Sequence, residues 1–335
     1  MKKNIIYLQY GFWKSLREKE DDFVVWEIFK VLCSNDVSTD IPIEAWEKDD
    51  LLRLWLQQKA NHKAEFKPCL PNKIESVLGN KSSNVQDLCA TYLLDNQLLC
   101  DRYIKHFGVF CLTANDVYKQ QTYISGDAVL FDQYEKANDY EKCKKQLASP
   151  CNSLVIIDPY LFDEKHYVKT ALLPILDRIM PQSLQIPFNI TIFSQPLNCL
   201  NWGCDELTKI EDVFPYFYDL IKGLRKDLDV SFTLCHSTKT SERRNGVKGD
   251  FHARYILTNC LMVQAEDGTD LYGKNEKCGK WSRFVFVWPS LDDNKRKDVE
   301  YYFRWIEIAS QNINNPNKCL MKWGTNENRL FDLVD

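Results

Sequence analysis

Residues 249–259 read GDFHARYILTN. They hold one of the five histidines of the 335-residue chain, with Arg254 two positions after His252 and Asn259 seven after it. These residue types suit phosphodiester chemistry. An imidazole with a reference pKa near ~6.5 is neutral often enough to attack phosphorus and charged often enough to give up a proton. A guanidinium binds non-bridging phosphate oxygens as a two-pronged donor. A carboxamide holds a neighbouring group by hydrogen bonding without adding charge. Three readings stay open at this point: a catalytic site, an anion-binding remnant without turnover, or a strand that carries a satisfied histidine.

Two basic clusters lie close by. Residues 236–254 set Lys239, Arg243, Arg244, Lys248 and Arg254 against Glu242 and Asp250. Residues 273–283 set Lys274, Lys277, Lys280 and Arg283 against Glu276, with Trp281 among them. Cations with an aromatic between them suit nucleic acid, where phosphates meet charge and bases stack. Short basic runs are also ordinary solvated loops. Asp158 ends the hydrophobic run of LVIIDPYLF, residues 154–162. An acid at the carboxyl end of a buried strand stands where ligands bind in α/β sheets. It can orient His252 or Arg254, or it can cap the following helix. His236 ends a neighbouring strand and reads as structural.

The elements that must position these residues follow from periodicity. Strands are expected at 4–10, 89–95, 109–113, 154–162, 188–195, 229–237, 251–259, 260–267 and 283–291. Helices are expected at 21–35, 43–61, 96–107, 164–180 (kinked or interrupted at Pro174), 210–228 and 296–312. Gly108 is placed to cap the third of these. Strands alternating with helices imply a three-layer α/β arrangement with a largely parallel sheet. The polar segment 134–153 reads as a linker, which separates a domain at 1–135 from one at 150–335. The expected fold is α/β, two Rossmann-like α/β/α domains.

The spacing His252-x-Arg254, four residues, Asn259 resembles the His-x-Lys motif of phospholipase D-type phosphodiesterases, where an aspartate closes the pattern. In that family the histidine attacks phosphorus, the lysine binds phosphate oxygens and the aspartate supports the site. A closer resemblance covers residues 150–285. There IIDPYLF, HARYILTN and DGTDLYGK follow one another as in the phospholipase D-like C-terminal domain of MIT-domain proteins and its bacterial relatives. That resemblance implies a phospholipase D-like fold for the second domain, associated with anionic lipid and dimerisation. The usual acid of the relatives' HDR form is Ala253 here, and the loop 267–274 lacks their arginine. A complete phospholipase D site uses two such motifs. His62, His106 and His166 do not supply a second, so turnover implies a homodimer in which two copies of His252 converge.

Residues 90–113 resemble the late strand–helix–strand of PIN-like nuclease domains, with Asp95 at the position of a metal-binding acid. That family's acid at the end of the first strand is replaced by Gln9 and Tyr10. Glu44, Glu47, Asp49 and Asp50 cannot all face one side of a helix. The first domain therefore reads as a non-catalytic PIN-like or generic Rossmann-like domain.

Composition sets the outer bounds. Forty-three basic and 47 acidic residues leave a net charge of −4, so any polyanion site is a local patch. The 13 cysteines show no zinc spacing and are expected as buried, reduced thiols in a cytoplasmic protein. No apolar run reaches the ~20 residues of a membrane span. Walker A, GxGxxG, HExxH and GxSxG motifs are absent. The leading expectation is a cofactor-free, metal-independent nuclease, placed by the bacterial resemblance in antiviral defence or repair. The alternative is an inactive module that binds phosphate, anionic lipid or partner proteins.

Overall fold

The computed structural model describes residues 5–19, 22–62, 66–79, 84–119, 148–161, 168, 172–195, 210–238, 243–244, 247–248, 251, 254–272, 278–286 and 293–334. Two compact units are formed, Met1–Asp127 with Val285–Phe303 and Ala128–Phe284 with Arg304–Asp335. The expected linker at 134–153 lies mostly outside the described residues.

The first unit runs β1 (Ile5–Leu8), α1 (Tyr10–Arg17), α2 (Asp22–Ser34), β2 (Asp36–Thr39), α3 (Ile43–Lys48), α4 (Asp50–His62) and β3 (Phe66–Pro68). It continues with α5 (Pro71–Ser76), α6 (Val85–Leu88), β4 (Thr91–Leu93), α7 (Gln97–Phe107), β5 (Phe110–Leu112) and α8 (Ala114–Lys119). Its sheet has the order β3-β2-β1-β4-β5, and every pairing is parallel. The strands are short, and in β1, β2, β4 and β5 nearly every residue is buried, as is usual in parallel sheets. α7 shows how local chemistry sets limits. The Asn96 side chain accepts from the amides of Leu98 and Leu99, and Gly108 ends the helix in the left-handed region at φ 61°.

The second unit is built on β6 (Ser153–Ile157), α9 (Leu173–Ile179), β7 (Phe188–Ser194), α10 (Ile210–Leu224) and β8 (Val230–Ser237). A small hairpin, β9 (Arg243–Arg244) and β10 (Val247–Lys248), precedes β11 (Arg254–Thr258), β12 (Leu261–Tyr272) and β13 (Cys278–Phe286). α11 (Asp293–Ile313), which belongs to the second unit from Arg304 onward, β14 (Cys319–Gly324) and α12 (Arg329–Asp332) complete the chain. The sheet order is β13-β12-β11-β6-β7-β8-β14. β6, β7 and β8 are parallel, while β11 and β14 run antiparallel on either side of them. Every residue of β6, β7, β8 and β11 is buried. Phe214 of α10 stacks on Phe232 from one face, and Trp305 of α11 lies 4.4 Å from Tyr255 on the other. The fold is α/β.

Two local expectations change. The single helix at 43–61 is two, because Asp49 leaves the helix and its Oδ1 accepts from the amides of Leu51 and Leu52, which starts α4. Of the helix expected at 164–180, α9 from Leu173 is described, with Pro174 in its first turn, where its missing N–H is not needed; residues 164–167 and 169–171 lie outside the described residues. The thiols are not all reduced, since Cys235 and Cys319 form a disulfide between β8 and β14, with Cα atoms 6.0 Å apart. Six other described cysteines, among them Cys100, Cys111 and Cys260, are buried free thiols. Among the described residues no helix is long and apolar enough to cross a membrane.

Gly324 ends β14 at φ +104°, and a Cβ there would fall on the carbonyl oxygen of Phe232. Backbone strain and collision act together, so Gly324→Ala should destabilise the protein by at least about 2 kcal/mol, read from urea unfolding.

Candidate functional site

The carboxyl edge of the second sheet gathers polar side chains. Tyr255 pairs with Ile157, so Arg254 stands opposite Asp158 one step further on. Ile157 pairs with Phe193, and Ser194 pairs with His236. Side chains alternate along strands, so Arg254, Asp158, Ser194 and His236 form one row on one face, across four neighbouring strands. Arg254 is 7% exposed, Asp158 1%, and Ser194 and His236 fully buried.

The row has one charged pair. Arg254 Nε lies 3.3 Å from Asp158 Oδ1. The contact is an ion pair rather than an aligned hydrogen bond, because Nε has no hydrogen-bond partner by direction among the described residues. The same Oδ1 accepts from the Tyr160 amide at 2.9 Å, and the Tyr160 ring lies 4.7 Å from Arg254 Cζ. Pro159 follows the acid, and its carbonyl accepts from the Gln195 amide, which ties the turn to the end of β7. Asp158 therefore meets the guanidinium at its inner nitrogen, which leaves the Nη end of the fork beyond the pair. Ser194 Oγ is enclosed without a hydrogen-bond partner among the described residues. His236 packs edge-on against Trp323 at 5.0 Å.

The remaining expected site residues divide by position. Asn259 lies past the far end of β11, about 16 Å from Arg254 at ~3.3 Å per residue. There its Oδ1 accepts from the Asn152 amide at 3.0 Å and fastens the start of β6. The structure thus brings Arg254 and Asp158 together and leaves Asn259 at the opposite edge. Arg243, Arg244 and Lys248 lie on the small hairpin, whose register sets Arg243 opposite Lys248. Lys280 and Trp281 lie on β13, the edge strand of the sheet. His252, Lys239, Lys274 and Lys277 lie outside the described residues.

Tyr160 and Ser194 were not singled out from sequence. Tyr160 carried a usable signal, an aromatic two residues after the acid in IIDPYLF. Ser194 gave a weaker one, a polar residue closing an apolar strand.

The acids of the first unit are engaged in holding the fold. Asp49 accepts from Trp13 Nε1 at 2.9 Å, and Asp50 pairs with Arg53. Glu44 and Glu47 lie on the short α3. At the carboxyl edge, Asp40 Oδ1 accepts from the Tyr10 amide at 2.6 Å, and Gln9 Oε1 accepts from the Asp95 amide at 3.0 Å. Burial raises the Asp40 carboxyl above its ordinary value; the Tyr10 bond opposes this, and the charges of Asp95 and Glu75 add to it. Among the described residues no three histidine, cysteine or acidic side chains are grouped so as to hold a metal ion.

No family model and no curated protein matches the chain.

Burial drives the His236 pKa from 6.5 to about 4. A depressed folded-state pKa keeps the ring neutral, so its contribution is complete above pH 6.5 and is lost as pH falls toward 4. Unfolding free energies measured at about pH 7.5 and pH 5 should differ by roughly 2 kcal/mol from this residue, and His236→Leu should remove that part of the acid sensitivity.

Proposed function

We propose that this protein handles nucleic-acid phosphodiesters at the carboxyl edge of its second sheet. Arg254 binds a non-bridging phosphate oxygen through its Nη nitrogens, and Asp158 and Tyr160 fix its direction. His252, two positions earlier in sequence, attacks phosphorus. A nitrogen–phosphorus bond forms as the phosphorus–oxygen bond to the leaving strand breaks. The His252 of a second copy gives that oxygen its proton, and water then releases the phosphate from the first histidine.

The observation that carries this reading is the Asp158–Arg254 pair at 3.3 Å, made at Nε and backed by an aromatic ring. A pair made at Nε spares the outer donors for a ligand. The hairpin adds support. Its two strands bring Arg243, Arg244 and Lys248 close together in the chain, a local run of cations of the kind that a phosphate backbone engages. The second reading, a binding module without turnover, is favoured by one fact: a guanidinium 7% exposed and already neutralised is a better clamp than a mobile catalyst.

Binding of fluorescent single- and double-stranded DNA and RNA separates these readings from an inert fold. Affinity should fall steeply between about 50 and 200 mM salt. Arg254→Lys keeps a charge opposite Asp158 but loses the fork, and should weaken binding about ten-fold. His252→Ala should keep binding and abolish cleavage, and cleavage by the wild type should survive EDTA. Binding without cleavage selects the module. Affinity indifferent to both salt and Arg254→Lys removes the whole reading.

A further inference from the structure

The disulfide of the second unit stands among free thiols. Cys235 of β8 and Cys319 of β14 are bonded, while six other described cysteines are buried and unbonded. The bond is therefore not part of a disulfide framework of the kind that replaces a core in small secreted domains. The sheet around it is closed by packing, since every residue of β6, β7 and β8 is buried. Breaking one bond at the rim of such a sheet leaves its core intact.

The bond bridges a weak place in the ladder. β14 is an edge strand, and its register against β8 shifts between Cys319 and Met321. A bulge of this kind interrupts backbone pairing where it occurs. Both ends of β14 are fastened without sulfur. The Thr238 amide donates to Lys318 O at 2.7 Å, and its hydroxyl donates to Asn317 O at 2.6 Å. At the other end the Asn326 amide donates to Thr233 Oγ1 at 3.0 Å. Between these anchors the disulfide is the covalent tie across the irregular step.

The reduced state has its groups provided for. Cys319 Sγ lies 3.4 Å from the carbonyl oxygen of Met321, at the bulge. A disulfide sulfur has no proton to give, whereas a thiol there donates to that carbonyl. Cys235, 1% exposed, would join the buried free thiols of the core. Cys319 is the more accessible sulfur at 8%, on an edge that opens at low cost. A thiolate of a dithiol reductant attacks Cys319 Sγ. The bond to Cys235 breaks, and Cys235 leaves as a thiolate that takes a proton. The second thiol of the reductant closes its own disulfide and releases Cys319 as a thiol. Two electrons enter the protein, and the dithiol is oxidised.

The strand that would be loosened covers the end of the polar row. Met321 stands opposite His236 in register, and the Trp323 ring packs edge-on against the His236 ring at 5.0 Å. Met321 is 41% exposed, so the outer side of this strand meets solvent. We propose that Cys235–Cys319 is a reversible redox latch. Oxidised, it holds the bulged middle of β14, and with it Trp323, against β8 and His236; reduced by a dithiol, it lets that cover move. The latch does not rest on the phosphate reading.

Hydrogen exchange of the folded full chain, read by NMR after equilibration in oxidised glutathione or in millimolar dithiothreitol, tests this. Non-reducing peptide mapping should find Cys235 linked to Cys319 in the first buffer, separate in the second, and linked again on return to the first. The amides of residues 321–323 should exchange at least about ten-fold faster in the reduced protein, with those of β6 and β7 unchanged. The Overhauser contact between the Trp323 and His236 rings should weaken. Cys319→Ser and, independently, Cys235→Ala should show the fast exchange in both buffers. A link absent in oxidised glutathione overturns the proposal, as does one that survives dithiothreitol in the folded protein. Equal exchange at 321–323 in the two states also overturns it.

Discussion

The second unit depends on a charge kept out of water. Asp158 and Arg254 meet where the parallel strands β6, β7 and β8 give way to antiparallel β11. Moving either ion from water costs several kcal/mol even after relaxation, and mutual attraction repays that only with good secondary contacts. Those contacts are present: the Tyr160 amide on the carboxylate and the Tyr160 ring on the guanidinium. An apolar pair of similar volume would stabilise the sheet junction about as well. What an apolar pair would not do is hold a planar set of donors in one direction at the edge where α/β sheets take ligands. The pair is therefore better understood as orientation than as stability.

The two sheets treat their carboxyl edges differently. In the first unit the edge closes on itself. The amide at the start of α1 is satisfied by Asp40, and Gln9 reaches across to the backbone of Asp95. A helix N-terminus already holding a carboxylate has little left for a phosphate. Gln9 commits its side-chain oxygen to a hydrogen bond that holds the fold. In the second unit the edge keeps polar groups without a hydrogen-bond partner among the described residues, most plainly the enclosed hydroxyl of Ser194. Enclosed polar groups without partners are uncommon because each costs desolvation energy.

Much of this order was legible in the residues because it is local. Apolar runs bounded by polar residues gave the central strands, Gly108 gave the end of α7, and an acid closing LVIID gave Asp158. The failures share a cause. Asp49 divides a helix because its side chain prefers backbone amides to solvent, and periodicity does not register that choice. β14 was missed because its exposure alternates weakly, and only pairing with β8 makes it a strand. Cys235 and Cys319 are 84 residues apart, and a count of thiols holds no information about partners at that distance.

Asn259 shows how spacing alone misleads. A motif written as His-x-Arg, four residues, Asn looks like one cluster, but Arg254 opens β11 and Asn259 lies just past its other end. β11 is five residues long, so the polar groups at its two ends reach opposite edges. Arg254 joins Asp158 at one edge; Asn259 binds the Asn152 amide at the other, and the Asn152 carbonyl accepts in turn from Asn189. One strand therefore braces two distinct places, an ion pair at the carboxyl edge and an amide network at the amino edge. Their separation is set by strand length, which no change of side chain at either end can alter.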